Sequence, residues 1–189
     1  MAAPLHEAER VSGWTEEVLT YWFGLDPKQW WRGGPELDAE IAKRFAKLWQ
    51  EQRRNPLEHF LAGGPREALA AVVLLDQFPR NMFRSHADQF ATDHVALAIA
   101  KTAVDQGWDE ALSPVERGML YMPFQHSEDL DDQQRSVALF TALGDPMQLD
   151  FARKHLDIIE RFGRFPHRNA ILGRRPRPAE IEAGDVVPW

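Results

Sequence analysis

A chain of 189 residues with formal net charge −7, 44% apolar residues, seven Trp and eleven Phe has the length of one domain and ample material for a core. Its acidic balance argues against broad nucleic-acid or membrane-surface binding, and the lack of cysteine excludes disulfides, thiolate metal sites and cysteine nucleophiles. No apolar run approaches the ~20 residues that span a bilayer, and the N-terminus lacks the apolar stretch of a signal peptide, so a cytoplasmic location is expected.

Apolar spacings of three and four recur along the chain and alternation with period two is absent, which predicts an all-α fold. Residues 1–13 are expected to be a flexible N-terminus, 14–175 a single helical domain, and 176–189 a tail with one short helix over 179–183. The first helix spans about 15–23, with Glu16 and Glu17 in its first turn and Gly24 as its stop. Leu37, Ile41, Phe45, Leu48 and Trp49 then form an apolar stripe that ends before Asn55-Pro56. A third helix opens at Pro65, and Pro79, which lacks an N–H and crowds the preceding turn, is expected to end it.

A longer helix is expected over 86–106, with Gly107 in the left-handed stop. Ser113-Pro-Val-Glu116 is a capping box for a short helix that Pro123 should close, and Ser127 is placed to cap the next, which ends before Gly144. Pro146 opens a helix through Met147, Phe151, His155, Ile158, Ile159 and Phe162, stopped by Gly163. About eight helices joined by short turns suggest packing as antiparallel hairpins.

Against the acidic whole, Arg161 to Arg177 holds six arginines, His167 and no carboxylate. Guanidinium groups are planar forks suited to carboxylate and phosphate, so this strip marks acidic partners within the fold or in a ligand. Arg161 and Arg164 flank a helix end, where cations meet the negative end of the dipole. Arg168 and Asn169 follow Phe165-Pro166 in a loop between aromatic anchors and are the better ligand candidates, whereas Arg174, Arg175 and Arg177 read as solvated tail residues. Leu75-Asp-Gln-Phe-Pro-Arg-Asn81 echoes Arg161-Phe-Gly-Arg-Phe-Pro-His-Arg-Asn169, which would set Asp76 and Arg80 beside Arg164, His167, Arg168 and Asn169.

His126 stands beside Glu128 and Asp129 at a helix start, a setting for a general base or, more plainly, for capping. No His-Glu-x-x-His or Glu-x-x-His spacing occurs among His126, Glu128, Asp129, Asp93, His94, His155 and His167, and no nucleotide-binding glycine motif or Gly-x-Ser-x-Gly elbow is present, so neither metal nor cofactor is expected. The tryptophans, Trp30-Trp31 among them, are expected to pack helices or wall a groove.

Val18-Leu-Thr-Tyr-Trp-Phe-Gly24, Trp30-Trp31, Leu74-Leu-Asp-Gln-Phe-Pro-Arg-Asn81, Phe90-Ala-Thr-Asp93, Tyr121-Met-Pro-Phe124, His126-Ser-Glu-Asp129 and the 161–169 block resemble the signature blocks of the bacterial domain-of-unknown-function family 924. The resemblance spans about 14–175 and implies a tetratricopeptide-like helical domain, with no activity attached. It implies Ser or Thr ahead of a final helix, where Arg175-Pro-Arg-Pro178 stands instead.

Function is left with three readings. The first is a groove lined by Arg and His that binds a small anionic or polar molecule, a peptide or a protein partner, through Asp76, Arg80, His126, Arg164, His167, Arg168 and Asn169. The second is a hydrolase-like enzyme using His126 or His167 as general acid-base, with Asp76, Glu128 or Asp129 orienting the ring. The third makes the same polar groups purely structural, holding helices in register.

Overall fold

Asp26-Pro27-Lys28-Gln29 shows how local chemistry overrides periodicity here. In the computed structural model, which describes residues 13–187, α1 (Gly13–Phe23) buries Val18, Leu19 and Trp22, and a short helix that no apolar repeat announces follows, α2 (Pro27–Arg32). Asp26 accepts the Lys28 N–H at 2.8 Å, while Gln29 accepts the Asp26 N–H at 3.0 Å: a capping box opens a helix too short to display a 3.6-residue stripe. The flexible segment expected over 1–13 lies outside the described residues except for Gly13, which begins α1. Then α3 (Pro35–Gln52) buries Leu37, Ile41, Phe45 and Trp49, and α4 (Leu57–Leu61) contributes Phe60.

Pro79 does not end the third helix, contrary to the expectation. The chain runs from α5 (Gly64–Val72) through a π-helical turn, Val73–Gln77, into α6 (Phe78–Met82). The wider turn is closed by the Phe78 N–H on Val73 O, five residues back, and so accommodates the proline ring. Leu75, whose carbonyl an α-helical residue 79 would have used, accepts the Thr92 hydroxyl instead. Trp49 Nε1 donates to the same hydroxyl oxygen at 3.2 Å, so one threonine ties α3, the π turn and the start of the next helix.

That tie also explains why the single helix expected over 86–106 is broken. A 3-10 turn, Ala87–Phe90, is separated by Ala91 and Thr92 from α7 (Asp93–Asp105). Thr92, held by Leu75, fixes where α7 begins and places Asp93 against the rod formed by α5, the π turn and α6. Replacing Thr92 by valine, which keeps the shape and removes the hydroxyl, should cost about 2–3 kcal/mol, because Leu75 O and Trp49 Nε1 lose their buried partner. Urea denaturation with an unchanged m-value checks this.

α8 (Pro114–His126) opens on the expected Ser113/Glu116 capping box but runs through Pro123 to His126, correcting the short helix foreseen. A proline in this position removes one N–H, and Gln133 Nε2 satisfies the last carbonyls, 2.8 Å from Gln125 O and 2.6 Å from Ser127 O. α9 (Leu130–Leu143) is capped by Asp129, which accepts from the Asp131 and Asp132 amides, rather than by Ser127. α10 (Pro146–Phe162) ends at left-handed Gly163. A 3-10 turn follows at Pro166–Arg168, and α11 (Pro178–Ala183) closes the described chain.

α9 packs on both α8 and α10, and connections of only a few residues make these neighbours antiparallel. α1, α3, α7 and α8 all pack on the rod, so Phe78, Leu74 and Leu75 sit in the main core with Trp22, Phe45 and Trp49. A smaller cluster of Ile158, Ile159, Phe162 and Phe165 anchors the loop beyond α10. Among the described residues every regular element is helical, and no helix is long and apolar enough to cross a membrane.

Candidate functional site

Where α2, the rod, α8, α10 and the loop after α10 converge, they enclose a cavity of about 540 Å³. Trp30 and Trp31 of α2, Phe90, Met122, Phe151 and Ile171 supply apolar wall, and Arg80, His126, His155, His167 and Arg168 supply the polar side. The rim includes Ser85, which holds φ 64°, a backbone region uncommon for a residue with a Cβ.

Behind the wall lies Asp76, fully buried on the π turn. Both its oxygens are 2.9 Å from His126 Nδ1, and Oδ2 accepts from Gln77 Nε2 at 2.6 Å. Burial opposes its charge, yet Arg80, the His126 N–H and Gln77 hold the carboxyl down at about 2. An ionised Asp76 can only accept, so the His126 proton sits on Nδ1 and the lone pair on Nε2, with no hydrogen bond from Nε2 to a described residue. Burial and Arg80 push His126 below the ordinary imidazole value, against the pull of Asp76 and Asp93, so the ring is neutral at pH 7.

The two Phe-Pro segments do meet here. Arg80 makes a bidentate pair with Asp93, both bonds at 2.9 Å, and also donates to the Asp76 carbonyl. Arg168 comes from the other segment to within 4.0 Å of the same Asp93 carboxylate. The guanidinium lies 4.6 Å from the Phe90 centroid and 4.5 Å from that of Phe165, between two rings. Its side chain is 9% exposed, yet no guanidinium N–H reaches hydrogen-bond distance of a described residue, and Nε is buried without an acceptor. Burial, then repulsion from Arg80, pulls Arg168 down to about 10, which still leaves it charged at neutral pH.

Two further imidazoles face this cation. His155 Nδ1 is 2.7 Å from the Phe151 carbonyl, which only accepts, so the proton is on Nδ1 and the other ring nitrogen is an acceptor. Burial sends His155 down to about 3 and His167 to about 4, with Arg168 adding to both shifts. An unfolded imidazole takes up its proton near 6.5, so below that pH the unfolded chain binds more protons than the folded one. Stability is therefore complete above about pH 6.5 and falls as pH is lowered towards 3, with Asp76 adding to the loss below about 4. Urea midpoints at pH 7.5, 5.5 and 4.5 should decrease in that order, and His155→Gln should flatten the trend.

Besides Asp76 behind the wall, the expected site residues Arg164, Asn169 and Glu128 lie outside the cavity. Arg164 pairs with buried Glu180 at 2.6 and 2.8 Å, and Asn169 donates to Glu180 at 2.9 Å. Glu180 also accepts the Arg177 N–H at 2.7 Å, so α11 is stitched to the end of α10 and the Pro178 start that departs from the resemblance still yields a helix. Glu128 lines no part of the cavity, and the cap of α9 is Asp129. Glu128 takes the Phe165 N–H at 2.7 Å and a bidentate pair with Arg174 at 2.6 and 3.0 Å, both of which hold its carboxyl below the usual range against burial. Arg174 and Arg177 thus correct the reading of a solvated tail: Arg174 also binds the Phe165 carbonyl, and Arg177 the Phe162 carbonyl. The Glu128–Arg174 pair fixes Phe165, the ring on which Arg168 rests.

The sequence weighs Asp93 and His155 as metal candidates and does not assign them, or Phe90, to this site. Their partners lie far apart in sequence, and only the Phe-Pro-Arg echo hinted that Arg80 and Arg168 share a neighbour. No group of three or more His, Asp or Glu among the described residues is arranged to hold a metal ion.

No curated protein matches the chain. The solved structure of protein of unknown function ATU0120 from Agrobacterium tumefaciens is similar at 39% identity and a TM-score of 0.83, over 89% of this chain and 95% of that one. The family model described as bacterial protein of unknown function, DUF924, matches residues 18–183, which takes in every residue of the rod, the cavity and the Glu180 anchor. The chain belongs to the DUF924 family.

Proposed function

We propose that the cavity binds a small organic anion, with its carboxylate or phosphate on Arg168 and its apolar part against Trp30, Trp31 and Phe151. The carrying observation is the state of Arg168: buried, charged, stacked between two rings and without a hydrogen bond to a described residue. A buried guanidinium in that state costs desolvation energy that the fold alone does not return, whereas an anion would satisfy up to five N–H donors at once. Arg80 and Arg84 are poorer anchors, since each is already matched bidentately, by Asp93 and Asp38 respectively. A volume of about 540 Å³ suits a metabolite-sized ligand better than a folded partner. We read the hairpins α8–α10 as tetratricopeptide-like and the protein as cytoplasmic, the latter in keeping with a cysteine-free chain.

Calorimetry of the wild type and Arg168→Ala against phosphate, benzoate, nucleotides and acidic peptides tests the binding reading. Saturable binding of an organic anion that weakens by about 30-fold or more in the variant is expected. Absence of any saturable binding that depends on Arg168 contradicts it. A purely structural role suits a different set, Arg164, Asn169 and Glu180, whose donors and acceptors are matched to one another.

A further inference from the structure

The cavity carries more than an anion anchor. In the cavity that Arg168 also lines stands an imidazole that is neutral, locked in one tautomer by a buried carboxylate, and presents its basic nitrogen without a partner among the described residues. Helix register does not require that arrangement. A structural histidine would hydrogen-bond through both nitrogens or turn its unused one into packing. Asp76 with His126 is the pairing that makes an imidazole an effective general base, the carboxylate fixing the tautomer and stabilising the imidazolium as it forms.

We propose that the protein is a hydrolase for carboxylate-bearing esters, in which Arg168 holds the substrate carboxylate and His126, positioned by Asp76, activates water. The proposal rests on the anion-binding reading above. No serine or threonine hydroxyl among the described residues hydrogen-bonds His126, so the nucleophile served is water. His126 Nε2 takes a proton from water as the oxygen bonds to the ester carbonyl carbon, giving a tetrahedral oxyanion. Collapse restores the C=O, breaks the bond to the leaving oxygen, and returns the proton from Nε2 to it. The products are the free acid and the alcohol.

Arg80 and Arg84 are each paired with a carboxylate, which leaves Arg168 as the cation for the substrate carboxylate. The oxyanion has a donor on the same wall: Gln77 Nε2 gives one hydrogen to Asp76 and retains a second.

Hydrolysis of p-nitrophenyl hemisuccinate, which carries a carboxylate, and of p-nitrophenyl butyrate, which does not, tests this with the full chain. Saturable release of p-nitrophenolate with preference for the hemisuccinate is expected. His126→Gln should lower kcat by about 100-fold or more, and Arg168→Met should cut the preference for hemisuccinate over butyrate by about tenfold or more. The kcat/KM of the wild type should fall on the acid side as His126 takes a proton. The groups acting on that ring are Asp76 and Arg80 from the rod, Asp93 from α7, His155 from α10 and His167 from the loop. Far-UV circular dichroism establishes that each variant is folded, and His126→Asn serves if the glutamine variant is not. Hydrolysis by the folded wild type no faster than by the His126 variant overturns the proposal. If succinate still binds in an Arg168-dependent manner in that case, the binding reading stands and the catalytic one alone fails.

Discussion

Asp76→Ala is expected to lower the unfolding free energy by about 3–5 kcal/mol, the largest effect of any single substitution on stability considered for this chain. The carboxylate is fully buried, receives the His126 N–H and the Gln77 amide, and lies 3.4 Å from Arg80. Removing it leaves two buried donors, His126 Nδ1–H and the Gln77 amide, short of an acceptor at the π turn, where the backbone already departs from α geometry to accommodate Pro79. Arg80 retains Asp93, which sets the loss towards the lower end of that range. Two-state urea denaturation at pH 7.5 measures it. Asp76→Asn, which keeps the shape and can still accept one hydrogen bond, should fall between the wild type and alanine.

Arg168→Met is expected to act in the opposite sense on stability. A side chain of comparable length without charge keeps contact with Phe90 and Phe165 and removes a desolvated guanidinium that has no hydrogen bond to a described residue, so the ligand-free protein should be at least as stable as the wild type. The same variant should lose organic-anion binding. Gain or retention of melting temperature together with loss of binding marks a residue kept for function. If Arg168 were one member of a structural network like Asp76, its replacement would lower the melting temperature by several degrees.

The contrast between these two residues shows what was legible in the sequence. Helical character and the starts at Pro65, Ser113 and Pro146 could be read from apolar spacing and capping chemistry, both local properties. Pro79 was misread because the consequence of a proline depends on what satisfies the carbonyl left without its N–H, and Thr92, which serves Leu75, comes from elsewhere in the chain, which no local rule anticipates. α8 likewise continues past Pro123, to an end whose carbonyls Gln133 satisfies. The arginine strip was legible as a cluster but not in its division. Glu180, nineteen residues beyond Arg161 in the sequence, takes Arg164 and Asn169, Glu128 takes Arg174, and Arg168 alone of the four is turned towards the cavity. Asp76 and Arg80 were found through the Phe-Pro-Arg echo, whereas His155 was hidden in an apolar stripe of α10 that it shares with Phe151 and Ile158.

Titrating the protein with benzoate while following the arginine Nε–H signals by NMR tests most directly that Arg168 is the anchor for an anion. A saturable shift of the Arg168 signal, with the Arg80 signal held in place by Asp93, is the expected result. An Arg168 signal that stays unmoved at millimolar benzoate, or one that moves no more than those of exposed Arg161 and Arg175, contradicts it.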